Sequence, residues 1–125
     1  KIEIEKIKII GDERDDDIKR GIELGMILAG ACNFVREIVN EPGNVINPET
    51  LAEIAQELAK EMGLKCTIYN EEELKTQKMV GILAVGQGST HPPRFIHLIY
   101  QPKNASRRIV IIGKGITFDS GGLDI

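Results

Sequence analysis

The sequence predicts an α/β protein, an α/β/α sandwich with a mixed sheet. Three short segments rich in β-branched residues predict strands at residues 64–69, 94–100 and 107–112. Helical patterns of apolar residues precede and separate these segments. The 125 residues, of which 42% are hydrophobic and 28% charged, suffice for one domain of ordinary size. Aromatic residues make up only 4%, so we expect an aliphatic core.

The N-terminal third predicts one strand and one long helix. Four isoleucines among charged residues indicate the strand: Ile2, Ile4, Ile7 and Ile9. Residues 12–17 are acidic, and we expect them to favour the start of the following helix through its dipole rather than to bind metal. Apolar residues at helical spacing predict that this helix covers residues 16–39, with Met26 and Phe34 in a buried face.

Capping residues set the bounds of the next helix. Pro42 restricts Glu41 and ends the first helix, and we expect Glu41 to be a surface charge rather than a catalytic group. Asn47 can cap the second helix, with Pro48 at its first position. Gly63 then predicts its C-terminal end.

The middle of the chain carries weaker signals. Asn70 and Glu73 form a capping pair that predicts a short helix. Residues 79–85 are apolar, and periodicity leaves strand and helix open. Residues 86–89 resemble a dinucleotide-binding turn, but His91 stands where the third glycine would be. We expect structural roles for His91 and for His97 in the second strand.

Composition excludes several classes. A net charge of −3 and a pI near 5.4 argue against a general nucleic-acid binder. The longest apolar run is shorter than the roughly 20 residues of a membrane span, and the N-terminus lacks the apolar core of a signal peptide. Cys32 and Cys66 lie among apolar neighbours, so we expect buried free thiols, in keeping with a reducing cytoplasm.

The residues that follow the third predicted strand are candidate ligands. Gly113, Lys114, Gly115 and Asp119 lie beyond its carboxyl end, where open α/β sheets bind ligands. An aspartate can bridge two cations. A lysine binds metal only as the neutral amine, so its ammonium group must first lose a proton. A zinc-binding free energy of order 10 kcal/mol could cover the cost of this deprotonation. The spacing of Lys114 and Asp119 alone fits a solvated or anion-binding loop as well as a metal site. A phosphate-binding loop would need Ser or Thr after the lysine, where this chain has Gly115.

Three stretches together resemble the leucyl aminopeptidase (cytosol aminopeptidase) family: residues 39–48, residues 83–89 and the string I-I-G-K-G-I-T-F-D-S-G-G at residues 111–122. The resemblance implies that Lys114 binds one metal and that Asp119 bridges both metals of a two-metal centre. Zinc or manganese is expected, with magnesium as a further candidate. Ser120, Gly121 and Gly122 would shape the loop. The implied activity is release of N-terminal amino acids, leucine among the preferred ones, from peptides.

The resemblance also implies a domain organisation. Residues 1–14 would end an N-terminal domain, residues 15–40 would form a linker helix, and residues 41–125 would be the N-terminal part of the catalytic domain. The family's catalytic lysine would follow Ile125, so we expect an incomplete and inactive portion of a cytoplasmic, hexameric peptidase. We expect peptide substrates and neither nucleic acid nor a membrane as partner. The alternatives are a non-catalytic globular fragment and a phosphate- or nucleotide-binding module using residues 113–115.

Overall fold

The structure of the protein is a computed structural model, and it describes residues 4, 6–8, 10, 11 and 16–120. These residues form an α/β fold, as predicted. Its elements in chain order are α1 (Asp16–Asn40), α2 (Pro48–Met62), β1 (Lys65–Tyr69), α3 (Glu71–Thr76), α4 (Val80–Gly86) and β2 (Phe95–Ile99). The chain divides into two compact units, Lys1–Asn40 and Glu41–Ile125. In the described ranges, no helix is long and apolar enough to cross a membrane.

The first unit contains the long helix α1, which begins and ends close to the predicted residues. Its first turn carries exposed ion pairs, such as Asp16 with Lys19 at 3.6 Å, which contribute little to stability. The prediction that its apolar face is buried is wrong for this chain, since Met26 is 71% exposed, Phe34 is 36% exposed and Cys32 is exposed. A helix buries such a face only against a second element, and the described residues of this unit form none.

The predicted N-terminal strand is not observed among the described residues of this stretch. Ile4 and Ile7 belong to neither a helix nor a strand, and each is 76% exposed. Ile2, Ile9 and residues 12–15 lie outside the described residues.

In the second unit, a reciprocal pair of hydrogen bonds begins α2. Asn47 Oδ1 accepts from the backbone N–H groups of Glu49 at 2.9 Å and Thr50 at 3.1 Å. Thr50 Oγ1 accepts in return from the Asn47 backbone N–H at 2.9 Å. The predicted cap is confirmed, with threonine in the position where a glutamate or glutamine is usual. The predicted C-terminal end is also confirmed, because Gly63 adopts the left-handed conformation at φ 65°.

Helix α3 begins with the predicted cap and ends in an unexpected one. Asn70 Oδ1 accepts from the Glu73 backbone N–H at 3.0 Å, and the Glu73 carboxylate accepts from the Asn70 backbone N–H at 2.8 Å. At the other end, Lys78 has φ 56°, a left-handed conformation that glycine usually occupies. The backbone N–H of Met79 donates to Leu74 O at 3.0 Å, which closes the turn.

The apolar stretch that periodicity left open forms a helix, α4. Its last residue, Gly86, packs closely against Pro93: a β-carbon at position 86 would lie 2.9 Å from both Pro93 Cβ and Pro93 Cγ. The glycine that resembled part of a dinucleotide turn therefore permits a close approach within the protein itself.

The sheet consists of β1 and β2, paired antiparallel with Lys65 opposite Ile99 and Tyr69 opposite Phe95. The rings of the latter pair are 5.8 Å apart, which adds an aromatic contact at one end of the sheet. Helix α2 lies against both strands and α3 against β1. A small core results, in which these apolar residues are buried: Ile46, Ala52, Ala59 and Leu74.

The prediction of a third strand at residues 107–112 is wrong for this chain. These residues pair with no described strand, and Ile111 and Ile112 are 92% and 89% exposed. The sheet of the described residues is therefore antiparallel and two-stranded rather than mixed. A β-branched run favours a pleated and partly buried surface, and no described segment lies beside this run to complete one.

Replacing Asn47 by alanine should lower the free energy of unfolding by about 1 kcal/mol, because two backbone N–H groups lose their acceptor. Urea denaturation followed by circular dichroism measures this change. Asn44→Ala is the matched control, since Asn44 is an exposed residue of the turn that precedes α2. Equal midpoints for the two variants would contradict the capping role.

The close approach at Gly86 gives a second prediction. Gly86→Ala should lower the free energy of unfolding by about 1–3 kcal/mol, because Pro93 must shift to admit the methyl group. Gly81→Ala, in the same helix, meets nothing within 4 Å among the described residues and should stabilise the chain by up to about 1 kcal/mol through helix propensity. If both substitutions raised the free energy of unfolding in urea denaturation, the added methyl group of Gly86→Ala would meet no steric conflict with Pro93, and the prediction would be wrong.

Candidate metal centre

The candidate ligands lie on residues 113–119, a segment that runs past the N-terminal end of α2. A β-carbon at Gly115 would lie 3.9 Å from Leu51 Cδ2 in the first turn of that helix. A β-carbon at Gly43 would lie 3.3 Å from Phe118 Cδ2 and 3.5 Å from the backbone oxygen of Thr117. The segment therefore passes close to both α2 and the turn at residues 42–46 that leads into it.

The structure brings the two predicted ligands together. Lys114 Nζ lies 3.9 Å from Asp119 Oδ2, and the two side chains are 70% and 59% exposed. The two side chains face each other across the bend between residues 114 and 119. They are open to solvent rather than enclosed in apolar packing. Both are thus accessible to an ion from solution.

The chemistry of these two donors fits a divalent ion. Ligand bonds of about 2.0–2.2 Å at the tetrahedral angle place two donors about 3.3–3.6 Å apart. The observed 3.9 Å between Lys114 Nζ and Asp119 Oδ2 would therefore shorten by a few tenths of an ångström around one ion. The carboxylate can bind as it stands, whereas the ammonium of Lys114 must first lose its proton. Among the described residues, no group of three or more His, Cys, Asp or Glu side chains could hold a metal, and the candidate pair itself supplies one side chain of these types, Asp119.

The geometry of residues 113–115 does not resemble a phosphate-binding loop. Gly63 is the sole glycine with positive φ among the described residues, so Gly113 and Gly115 do not turn successive N–H groups inward as an anion nest does. No α-helix begins in the described residues that follow. Lys114, the expected phosphate contact, instead faces a carboxylate. The structure thus offers no support for the nucleotide-binding alternative.

A second polar cluster joins the start of α2 to the loop before β2. Glu49 Oε1 accepts from Arg94 Nη2 at 2.7 Å, and His91 Nδ1 lies 3.7 Å from Glu49 Oε2. Arg94 Nη1 also donates to the backbone oxygens of Pro92 and Pro93. Its guanidinium is mostly buried, so the ion pair fixes this loop on α2 more firmly than a surface pair would. No local pattern in the sequence indicates this cluster, because 45 positions separate Glu49 from Arg94.

A cleft of about 380 Å³ lies between α3, α4 and the residues before β2. Glu71 and Lys75 line one wall and are paired at 2.6 Å. The hydrogen bond from Lys75 to Glu71 raises the pKa of this lysine, and the charge attraction between them acts in the same direction. Neither Lys114 nor Asp119 lines the cleft, so it is separate from the candidate metal centre.

Comparison with known proteins identifies relatives for most of the chain. Residues 33–125 match the profile described as "Cytosol aminopeptidase family, catalytic domain". A probable cytosol aminopeptidase of Persephonella marina is 56% identical over 107 residues, which are 86% of this chain and 22% of that protein. Those of Aquifex aeolicus and Bacillus subtilis are 52% and 40% identical, over 100% and 98% of this chain and 24% and 25% of theirs. The chain thus spans about a quarter of the length of these curated relatives. No solved structure matched it.

Proposed function

The chain belongs to the cytosol aminopeptidase family, and from this premise we propose that the protein is a metal-dependent aminopeptidase that releases N-terminal amino acids, leucine among the preferred ones, from peptides. The observation that carries the proposal is the solvent-open pair of Lys114 and Asp119, 3.9 Å apart. This pair lies on the segment whose sequence resembles the family's metal-binding signature. Because the chain spans about a quarter of its relatives, the proposed activity is that of the whole protein.

The two side chains have distinct roles in this proposal. Lys114 would hold one divalent ion through its neutral amine, and Asp119 would hold both ions of the centre through its two oxygens. Bound ions of this kind polarise a peptide carbonyl and lower the pKa of water. Nitrogen and oxygen donors together suit zinc or manganese, with magnesium as a further candidate. A neutral lysine adds a ligand without adding negative charge.

The domain organisation and assembly remain part of the proposal. Residues 1–14 would end an N-terminal domain, residues 15–40 would form a linker helix, and residues 41–125 would begin the catalytic domain. We propose a cytoplasmic homo-oligomer, a hexamer by family resemblance, that acts on peptides and has neither nucleic acid nor a membrane as partner. The net charge of −3 supports the exclusion of nucleic acid.

Asp119→Asn should weaken the binding of Mn²⁺ to the chain at least ten-fold, because the amide keeps the shape of the side chain and removes its charge. Isothermal titration with MnCl₂ measures the affinity. Glu57→Gln is the matched control, since it makes the same change at an exposed carboxylate of α2 and should leave the affinity unchanged.

Two results would contradict this assignment. Equal affinities of the parent chain and Asp119→Asn would remove Asp119 from the metal site. Binding of ATP without Mn²⁺, retained in Asp119→Asn, would favour the phosphate-binding alternative.

The 125-residue chain alone should show negligible peptidase activity, because two proposed ligands and no proposed general base do not make a complete centre. Release of the chromophore from a leucine anilide, in the presence of Mn²⁺ or Zn²⁺, measures the activity. Peptidase activity that co-purifies with the peak of the homogeneous 125-residue chain would contradict this expectation.

A further inference from the structure

We propose that this chain carries a cleavage site for trypsin-like proteases, the class that cuts after lysine or arginine, at Arg107 and Arg108. Water would hydrolyse the peptide bond that follows one of these residues. One product would then end in the new carboxylate of that arginine, and the other would begin with the new amino group of the next residue. The site is a property of the described backbone and does not depend on the proposed function.

The segment around the two arginines is open to solvent. Residues 105–112 belong to no helix or strand, and each of them is exposed. The four aliphatic residues that follow Arg108 have exposed fractions between 72%, at Val110, and 92%, at Ile111. A protease must enclose residues on both sides of the bond that it cuts, and here both sides are accessible.

The backbone of this segment forms no hydrogen bond with a described backbone group. Residues 106–112 take part in neither the sheet nor the backbone hydrogen bonds of turns and loops, and the nearest of those bonds joins the N–H of Ala105 to the oxygen of Pro102 at 3.2 Å. A protein that binds an extended peptide does so through the peptide's main-chain hydrogen-bonding groups. Backbone that is already paired must first open, whereas this segment has no such bond to a described group to lose.

Most other basic residues of the second compact unit, Glu41–Ile125, are less accessible to a protease. Lys60 and Lys75 lie in helices, and Lys65 lies in β1, so the backbone around each is hydrogen-bonded. Lys78 follows α3 in a left-handed conformation, and its N–H donates to Lys75 O at 3.1 Å. The side chain of Arg94 is only 19% exposed. Cleavage after any of these residues requires local unfolding.

Two exposed lysines flank the site, and each lies next to a change in chain direction. Lys103 lies inside the turn that the hydrogen bond from Ala105 to Pro102 closes. The side chain of Lys114 faces Asp119 at 3.9 Å, and the chain bends at Thr117, three residues further on. Exposed backbone without internal hydrogen bonds is the preferred place for proteolytic nicking, and Arg107 and Arg108 are the basic residues that best meet this condition.

The position of the cut gives it a consequence, which rests on the proposed function. Lys114 and Asp119 both follow Arg108 in the chain. One cut would therefore separate both candidate ligands, covalently, from α2 and from the turn before it. A protease of this class would thus remove the proposed metal ligands from the rest of the unit in a single step.

Limited digestion of the full 125-residue chain with trypsin, followed by intact-protein mass spectrometry, tests the proposal. The first cut within the second unit should follow Arg107 or Arg108. Its rate should lie within about ten-fold of the rate in a synthetic peptide of residues 104–113, because the described structure hides neither bond. A slower cut than this, or a first cut after any other lysine or arginine of the unit, would overturn the proposal.

A double variant and a matched control identify the residues that the protease recognises. Arg107→Gln together with Arg108→Gln removes both basic side chains, so residues 41–125 should survive digestion about ten-fold longer than in the parent. Lys60→Gln makes the same change in α2 and should leave the survival time unchanged. If the double variant disappeared at the parent rate, another bond would be the preferred one and the proposal would be wrong.

The cleavage site and the proposed metal centre fail independently. The mass spectra are recorded without added metal and decide the cleavage site alone. Titration of the uncut parent with MnCl₂ decides whether the chain binds the ion, and a parent that binds none would count against the proposed function while leaving the cleavage site in place.

Discussion

The reciprocal hydrogen bonds between Asn47 and Thr50 fix where α2 begins and the direction from which the chain enters it. The same Thr50 hydroxyl donates to Val45 O and so connects the cap to the preceding turn. A β-carbon at Gly43 of that turn would lie 3.3 Å from Phe118 Cδ2, so the segment of the candidate ligands passes beside the turn. The cap that begins α2 is thus connected to a turn that neighbours the pair of side chains on which the proposed chemistry depends.

Local signals in the sequence predicted the helix ends because their physics is local. Each predicted helix end depends on a residue that binds backbone N–H groups, or ends the helix, within a few positions of itself. The structure confirms all four of these residues: Asn47, Gly63, Asn70 and Glu73. Predictions of burial were wrong for Met26 and residues 107–112, because burial requires a second surface that local pattern does not supply. The left-handed Lys78 was also missed, since a lysine at that position carries no signal for positive φ.

The candidate site shows the same division. Lys114 and Asp119 are five positions apart, and a turn between them brings their side chains to 3.9 Å. The family resemblance identified these two residues as candidate ligands, and their spacing in the sequence is compatible with a shared site. Phe118 and Gly43, like Arg94 and Glu49, are distant in sequence. They lie close together only because the fold brings the later residue of each pair to α2 or to the turn before it. No period or motif in a single sequence encodes such a pair.

In the proposed metal centre, the free-energy terms of ion binding differ in size. An exposed ion pair such as that of Lys114 with Asp119 stabilises by about 0–1 kcal/mol, so displacing the ammonium costs a divalent ion little. Removing the proton costs more, but structural zinc sites release on the order of 10 kcal/mol. What remains is the conformational entropy of ordering the segment, about 1–2 kcal/mol for each residue that must be fixed. Over residues 114–119 this entropic cost would exceed the free energy of the ion pair several-fold, so any order that the segment has before an ion binds would favour the proposed centre.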